Sequence, residues 1–209
     1  MTTPPPEVTT SPVAPRSSAV SAGQRTYCTT VDSPVGPLLL TADASGVLTS
    51  LSVPEQKGGR VPLADWRHDP APFRQAAEQL AAYFAGELKE FRLESRGEGT
   101  EFRQRVWAAL DDIPYGATTT YGAIASRIGA PRAAVRAVGG AIGANPLLIL
   151  RPCHRVIGAD GSLTGYAGGL DRKRLLLGLE GVLGADGRDG GVTPNAGDQD
   201  ACAQVRPMV

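Results

Sequence analysis

Pro114, Gly129 and Pro131 cut the stretch 100–142 into short pieces, and no helix can run on through them. Proline lacks a backbone donor and clashes with the preceding helical turn, and glycine closes helices in a left-handed conformation. Three short helices remain. Thr100 caps the first, which carries Phe102, Val106, Ala109 and Leu110. Thr119 or Thr120 caps the second, which runs through Ile128 with Ile124, Ala125 and Ile128 inward. Pro131 opens the third, which reaches Ile142. Two short helices across a glycine-containing turn form a helix-turn-helix pattern. A helical hairpin inside a core shows the same pattern, so the pattern alone does not decide for nucleic acid. Asp171 caps a last helix with Leu175, Leu176 and Leu179 on its inner face, and Glu180 and Gly181 end it.

The first half has a different rhythm. Runs Tyr27–Val31, Gly36–Ala42 and Val47–Leu51 are β-prone, and Asp43-Ala44-Ser45-Gly46 between the last two is a hairpin signal. A helix is predicted from Pro72 to Phe84, with Phe73, Ala76, Ala77, Leu80 and Phe84 on one face and Gly86 closing it. Leu88–Leu93 alternates and is read as a further strand. The chain then divides into a small α+β domain at 26–96 and a mostly helical domain at 99–181. Residues 1–25, rich in Thr, Pro, Ser and Ala, and the Gly- and Asp-rich 182–209 read as disordered tails.

Formal charge is zero overall but unevenly spread: residues 26–98 carry 7 basic and 10 acidic side chains, residues 99–181 carry 10 and 6. That suits a polyanion surface on the second domain, and a mixed solvated surface gives the same count. Three cysteines, Cys28, Cys153 and Cys202, make an odd set without a disulfide framework and point to a reducing compartment. The N-terminus has no apolar signal core, and no run approaches the ~20 residues of a membrane span. The expectation is a soluble cytoplasmic protein with no membrane partner. Two histidines and three scattered cysteines offer no ligand pair at zinc spacing, and Gly139–Gly143 is a poor phosphate loop, so neither metal nor cofactor is expected.

Chemistry concentrates in Arg151-Pro152-Cys153-His154-Arg155, between the apolar run Leu147–Leu150 and the turn Gly158–Gly161. A thiol on stiff extended backbone between two guanidiniums is expected to fall below its free pKa of ~8.5 and to act as a nucleophile. The alternative is a small buried hydrophobe. Adjacent side chains on extended backbone point to opposite faces, so a water is expected to bridge Cys153 and His154. His154 needs an acceptor to fix its tautomer, and Glu180 is the candidate. His68 is read as a surface residue.

Tyr121, Arg136-Ala137-Val138-Gly139, Asn145-Pro146, Pro152-Cys153-His154-Arg155-Val156, Gly165-Tyr166, Gly168-Gly169 and Glu180 resemble the signature of the O6-alkylguanine-DNA alkyltransferases. Val106-Trp107 and Ile113-Pro114-Tyr115-Gly116 match as well. The likeness is close over 99–181 and general over 26–98. It implies an α+β protein with a ribonuclease H-like N-terminal domain and a helical, winged helix-turn-helix-like C-terminal domain. It implies irreversible, single-turnover transfer of an alkyl group from O6-alkylguanine to Cys153, after the base is flipped out through the minor groove of double-stranded DNA.

Roles follow from the same likeness. Cys153 accepts the alkyl group, His154 takes its proton through water, Glu180 orients His154, Asn145 ties the active segment to the helix-turn-helix, and Tyr121 assists the leaving guanine. Arg136 enters the duplex; Arg132, Thr118, Thr119 and Thr120 meet phosphates; Ala137, Gly139 and Arg155 complete the DNA face. Tyr166, Ala167, Val156, Gly168 and Pro152 form the base pocket. The implied partner is alkylated duplex DNA, bound by a monomer, with cooperativity left open. Arg151 departs from the family's usual apolar residue and is expected to meet a carboxylate or a phosphate. A lesion-binding relative that does not transfer, a redox-sensing helix-turn-helix regulator and a cysteine hydrolase are the alternatives.

Overall fold

The computed structural model describes residues 25–183; the two tails read from the sequence, apart from their innermost residues, and Cys202 lie outside that range. Strands β1 (Tyr27–Val31), β2 (Leu38–Ala42) and β3 (Leu48–Ser52) form an antiparallel meander, with Tyr27 opposite Ala42 and Leu40 opposite Leu51. The Asp43 carboxylate builds the β2–β3 turn by accepting from the Ser45 and Val47 amides at 2.9 and 3.2 Å. A short β4 (Arg67–His68), not foreseen from the sequence, adds in parallel to β1, so the sheet is mixed, in the order β3-β2-β1-β4. His68 is exposed on it, as expected.

A 3-10 turn, Ala71–Phe73, leads into α1 (Arg74–Phe84). Phe73, Ala76, Leu80 and Tyr83 are buried against the sheet at helical spacing, while Ala77 and Phe84 stay at its margin. The strand expected at Leu88–Leu93 does not form. The side chain of Gln79 accepts from the Arg92 amide at 2.7 Å and donates to the Arg92 carbonyl at 3.0 Å, so side chains of α1 take the bonds a neighbouring strand would have made. Only Ser95 makes a bridge, to Leu48.

In the second half, Thr100 caps α2 (Glu101–Asp111) by accepting from the Arg103 amide at 3.3 Å. Thr120 caps α3 (Tyr121–Arg127) by accepting from the Ala123 amide at 3.1 Å. Pro131 is extended and stands before a 3-10 turn, Arg132–Ala134, that leads into α4 (Val135–Gly143), so it precedes the helix rather than opening it. The Trp107 indole donates to the Ala141 carbonyl at 2.8 Å and locks α2 to α4. Two short parallel strands, β5 (Thr119–Thr120) and β6 (Val156–Ile157), join the start of α3 to the segment just after Cys153.

The last helix, α5 (Leu170–Leu179), departs from expectation at both its cap and its face. Gly169, at φ 92, turns the chain in, and Asp171 lies exposed in the first turn, where its charge suits the helix dipole. Lys173, Leu176 and Leu177 face inward, Leu175 is exposed and Leu179 is half-buried. The true inner stripe includes a lysine, a residue type rarely buried unless paired.

The two halves share one core. The Leu51 amide donates to the Pro146 carbonyl at 2.9 Å and the Leu148 amide donates to the Leu51 carbonyl at 3.0 Å, so residues 146–148 extend the edge of the first sheet. Leu51, Phe73, Trp107, Leu147 and Leu176 belong to a single apolar cluster. The chain approaching Cys153 is anchored on both domains.

Candidate active site

Residues 147–153 are a chain of tight turns. Ile149 adopts φ 70, an uncommon conformation for a β-branched residue, and the Arg151 amide closes back on the Leu147 carbonyl at 2.9 Å. Cys153–Arg155 is a single 3-10 turn and not the extended backbone expected. Asn145 holds the turn together from the end of α4. Its side-chain amide donates to the Arg151 carbonyl at 3.0 Å, the Leu147 carbonyl at 3.3 Å and Cys153 Sγ at 3.2 Å, while its oxygen accepts from the Leu147 amide at 3.0 Å. A buried amide satisfied on both ends has one conformation.

His154 is fully buried, with Nε2 2.9 Å from Oε1 of Glu180. Its Nδ1 is buried and makes no hydrogen bond within the described residues. With Nε2–H directed at the carboxylate, the Nδ1 lone pair is left as a base. Glu180, just past the end of α5, collects more donors than the sequence indicates. Arg155 donates to it at 2.8 and 2.9 Å, the Tyr83 hydroxyl at 2.7 Å and the Gly116 amide at 3.4 Å. Burial would raise the Glu180 pKa, but hydrogen bonds from His154 and Arg155 prevail and hold it at about 2. Burial also lowers the His154 pKa, against the pull of Glu180, so the imidazole is neutral.

The expected depression of the Cys153 pKa is not found. Burial pushes it up to about 11, and the Asn145 hydrogen bond, Lys173, the backbone and Arg151 pull it back only in part. The reason is where the guanidiniums go. Arg155 binds Glu180 and the Ile113 carbonyl, and Arg151 pairs with Asp111 at 2.9 Å and lies over the Trp107 ring. Arg151 thus meets a carboxylate, one of the two partners expected of it. The cation nearer the thiol's surroundings is Lys173, buried on α5 and donating to the Val156 and Thr164 carbonyls at 2.5 and 2.8 Å. Burial lowers its pKa to about 8, against the pull of Cys153.

Cys153 lines a cavity of about 420 Å3, together with Tyr121, Gly139, Tyr166 and Ala167. The Tyr121 hydroxyl lies 3.1 Å from the Thr164 and Gly165 carbonyls and donates its one hydrogen between them. Burial keeps it protonated, with the Thr164 bond opposing and the Cys153 charge reinforcing. Gly165 sits at φ 52, and a Cβ there would stand 3.0 Å from that hydroxyl. A Cβ on Gly168 would meet Tyr166 at 2.8 Å and Val53 at 3.2 Å. Glycine at these two positions lets the loop close over the cavity.

Not every residue expected at the site reaches it. Val156 is buried beneath, with its carbonyl on Lys173; Gly168 is buried behind Tyr166; Pro152 lines a separate cavity of about 430 Å3 on the far side of the segment. Arg132, Arg136 and Ala137 are exposed, while Val138, Ala141 and Ile142 of α4 are buried. Arg155, expected on the DNA face, is only 6% exposed and is held by Glu180. Thr118 and Thr119 are buried, and the Thr120 hydroxyl is taken by the α3 cap, so these side chains are not free surface. Lys57, Ile142, Gly143 and Thr164 also line the cavity without having been expected there, and Gly165 of the Gly165-Tyr166 pair joins them. Among the described residues no helix is long and apolar enough to cross a membrane.

Comparison with known proteins places this geometry. The family model described as 6-O-methylguanine DNA methyltransferase, ribonuclease-like domain, matches residues 26–95, and that of its DNA binding domain matches residues 101–182. The methylated-DNA–protein-cysteine methyltransferase of Mycobacterium tuberculosis is 58% identical over 151 residues, covering 72% of this chain and 90% of that protein. The protein of the same description from Methanosarcina acetivorans is 52% identical over 155 residues, covering 74% and 98%. The crystal structure of Mycobacterium tuberculosis OGT in complex with DNA superposes with a TM-score of 0.70 at 55% identity, covering 74% of this chain and 93% of that one.

Proposed function

This chain belongs to the 6-O-methylguanine DNA methyltransferase family, and from that premise we propose how its own residues carry out the repair of O6-alkylguanine in DNA. Cys153 accepts the alkyl carbon. A water relays the thiol proton to Nδ1 of His154, and the resulting imidazolium is stabilised by Glu180. The sulfur attacks the alkyl carbon, the carbon–O6 bond breaks, and guanine leaves with the electron pair, protonated with help from Tyr121. The product is a thioether, and no residue at the site can cleave it, so each molecule acts once.

The observation that carries this reading is the convergence of Cys153, Tyr121 and Tyr166 on one cavity of about 420 Å3, with His154 next in the chain and held by Glu180. A thiol with a pKa of about 11 is protonated at rest at neutral pH, so the reaction needs a base to take its proton. A buried thiol cannot reach a stacked base, so the nucleotide must be extruded into the cavity. Arg136 fills the gap by stacking, a role its exposure on α4 supports. The small residues around it permit close approach to the minor groove, and Arg132 meets a phosphate. Alkylated duplex DNA is the partner, consistent with the DNA-bound relative. The protein acts in the cytoplasm and binds duplex as a monomer, and gel filtration with and without duplex tests the monomer.

The deciding experiment exposes the protein to a duplex containing O6-methylguanine and maps the modification by peptide mass spectrometry. One methyl on the Cys153 peptide, with guanine restored in the DNA, is expected. A methyl on any other residue, or repeated turnover, overturns the assignment.

A further inference from the structure

Of the residues lining the Cys153 cavity, Lys57 alone carries a full charge, and it comes from the other domain. The rest of the wall is tyrosine, glycine, aliphatic side chain and threonine, with no carboxylate. The turn that carries Lys57 is held in place. The Val53 amide donates to Oε1 of Gln56 at 3.2 Å, the Gly59 amide donates to the Gln56 carbonyl at 3.0 Å, and the Lys57 amide donates to the Ala167 carbonyl in the cavity wall at 3.1 Å. Val53 packs where a side chain on Gly168 would have to go. Lys57 is the exposed end of the lining, while Cys153 is 2% exposed. Lysine is scarce in this chain: Lys57, Lys89 and Lys173 are the only three, and no described carboxylate pairs with Lys57.

We propose that Lys57 makes this cavity selective for O6-alkyl groups that end in an anion, with carboxymethyl the smallest such group. The inference rests on the alkyl-transfer reading above and extends it to the class of adduct. A methyl group on O6 occupies only the space beside Sγ. A longer group must run from the sulfur past a wall whose side-chain donors are neutral hydroxyls of Tyr121, Tyr166 and Thr164, and the one cation it can meet is the Lys57 ammonium. Opposite charges in such a cleft are less screened than on open surface. The chemistry is otherwise unchanged. Sulfur bonds to the methylene carbon, the carbon–O6 bond breaks, guanine keeps the electron pair and takes a proton, and Cys153 becomes S-carboxymethylcysteine.

The test measures transfer rate constants on one duplex sequence carrying O6-methylguanine, O6-carboxymethylguanine or its uncharged carbamoylmethyl isostere. The proteins are the full chain and its K57A, K57E and K57R variants, with the product located on Cys153 by mass spectrometry. The rate ratio of carboxymethyl to carbamoylmethyl is expected to fall about five-fold in K57A and about ten-fold or more in K57E, and to survive in K57R. An unchanged ratio in K57E overturns the proposal. So does a parallel fall for all three adducts, which makes Lys57 a contact to the DNA backbone. If the unaltered protein places no methyl on Cys153, the parent reading fails first and this one with it.

Discussion

The hydroxyl of Tyr83 donates a 2.7 Å hydrogen bond to Oε1 of Glu180, so a helix of the first domain touches the carboxylate behind His154. Tyr83 is completely buried, and burial together with the neighbouring carboxylate keeps its phenol protonated. Oε1 is the same oxygen that faces Nε2 of His154. Nη2 of Arg155 also donates to it at 2.9 Å, so three donors share one oxygen.

Removing one competitor is expected to strengthen the others. Tyr83→Phe deletes one oxygen without changing the packing, and loss of a hydrogen bond to a charged group costs about 1.5–3 kcal/mol. Oε1 then accepts more fully from His154 and favours the imidazolium, so the acid limb of the pH–rate profile for methyl transfer moves upward. An unshifted profile in a merely less stable protein would make Tyr83 structural only.

The raised pKa of Cys153 gives the thiol a measurable pH dependence of its own. Below a pKa of about 11 the thiolate fraction climbs with pH, so alkylation of Cys153 by iodoacetamide in the absence of DNA is expected to rise about ten-fold per pH unit between about pH 7 and 9. Peptide mass spectrometry distinguishes it from Cys28 and Cys202. A rate already level at neutral pH would mean that the thiolate is preformed.

Glu180→Gln leaves Arg155 without its counter-charge in a buried place, a change that costs about 3–5 kcal/mol. The sign of its pH dependence is fixed. The Glu180 pKa of about 2 lies below the ordinary 4.5, so its stabilisation is complete above about pH 4.5 and is lost as pH falls toward 2. The gap in Tm between wild type and E180Q is therefore expected to narrow over that window. A gap that stays constant would show the carboxylate to be ordinary in the folded state.

Arg136→Ala tests the extrusion step. Transfer from the duplex is expected to fall about ten-fold or more, while transfer from the free alkylated base falls much less. Equal losses on both substrates would place Arg136 at the reaction and not in the DNA.

The parts of this protein that follow local rules could be read directly from its sequence. Thr100 and Thr120 cap their helices because a hydroxyl before a helical run has amides to accept from, and Asp43 makes its turn for the same reason. Cys153 and His154 were singled out by their own chemistry and setting, Glu180 as the acceptor an imidazole needs, and Asn145 by resemblance to a family. What could not be read depends on distant partners. Arg155 was expected on the DNA face and Lys173 carried no expectation, because cations are seldom buried and only the fold supplies Glu180 and the two carbonyls that satisfy them. The thiol was expected to be acidic from two flanking arginines, but neighbours in sequence on a 3-10 turn need not be neighbours in space. Tyr83 and Lys57 gave no signal, since an aromatic at helical spacing reads as core and a lysine in a turn reads as solvated. The strand expected at 88–93 alternated as a strand should, yet Gln79 took its backbone first.

Strand β3 lies at the end of its sheet, and its outer side is met by Ser95 through Leu48 and by Leu147 through Leu51. An open strand edge is a template for stacking with other chains. Here the segment leading to the reactive sulfur also serves as a cover for that edge. The first half expressed by itself should therefore be sticky, gathering into oligomers through β3, and a charged or proline substitution in β3 should be needed to keep it dispersed.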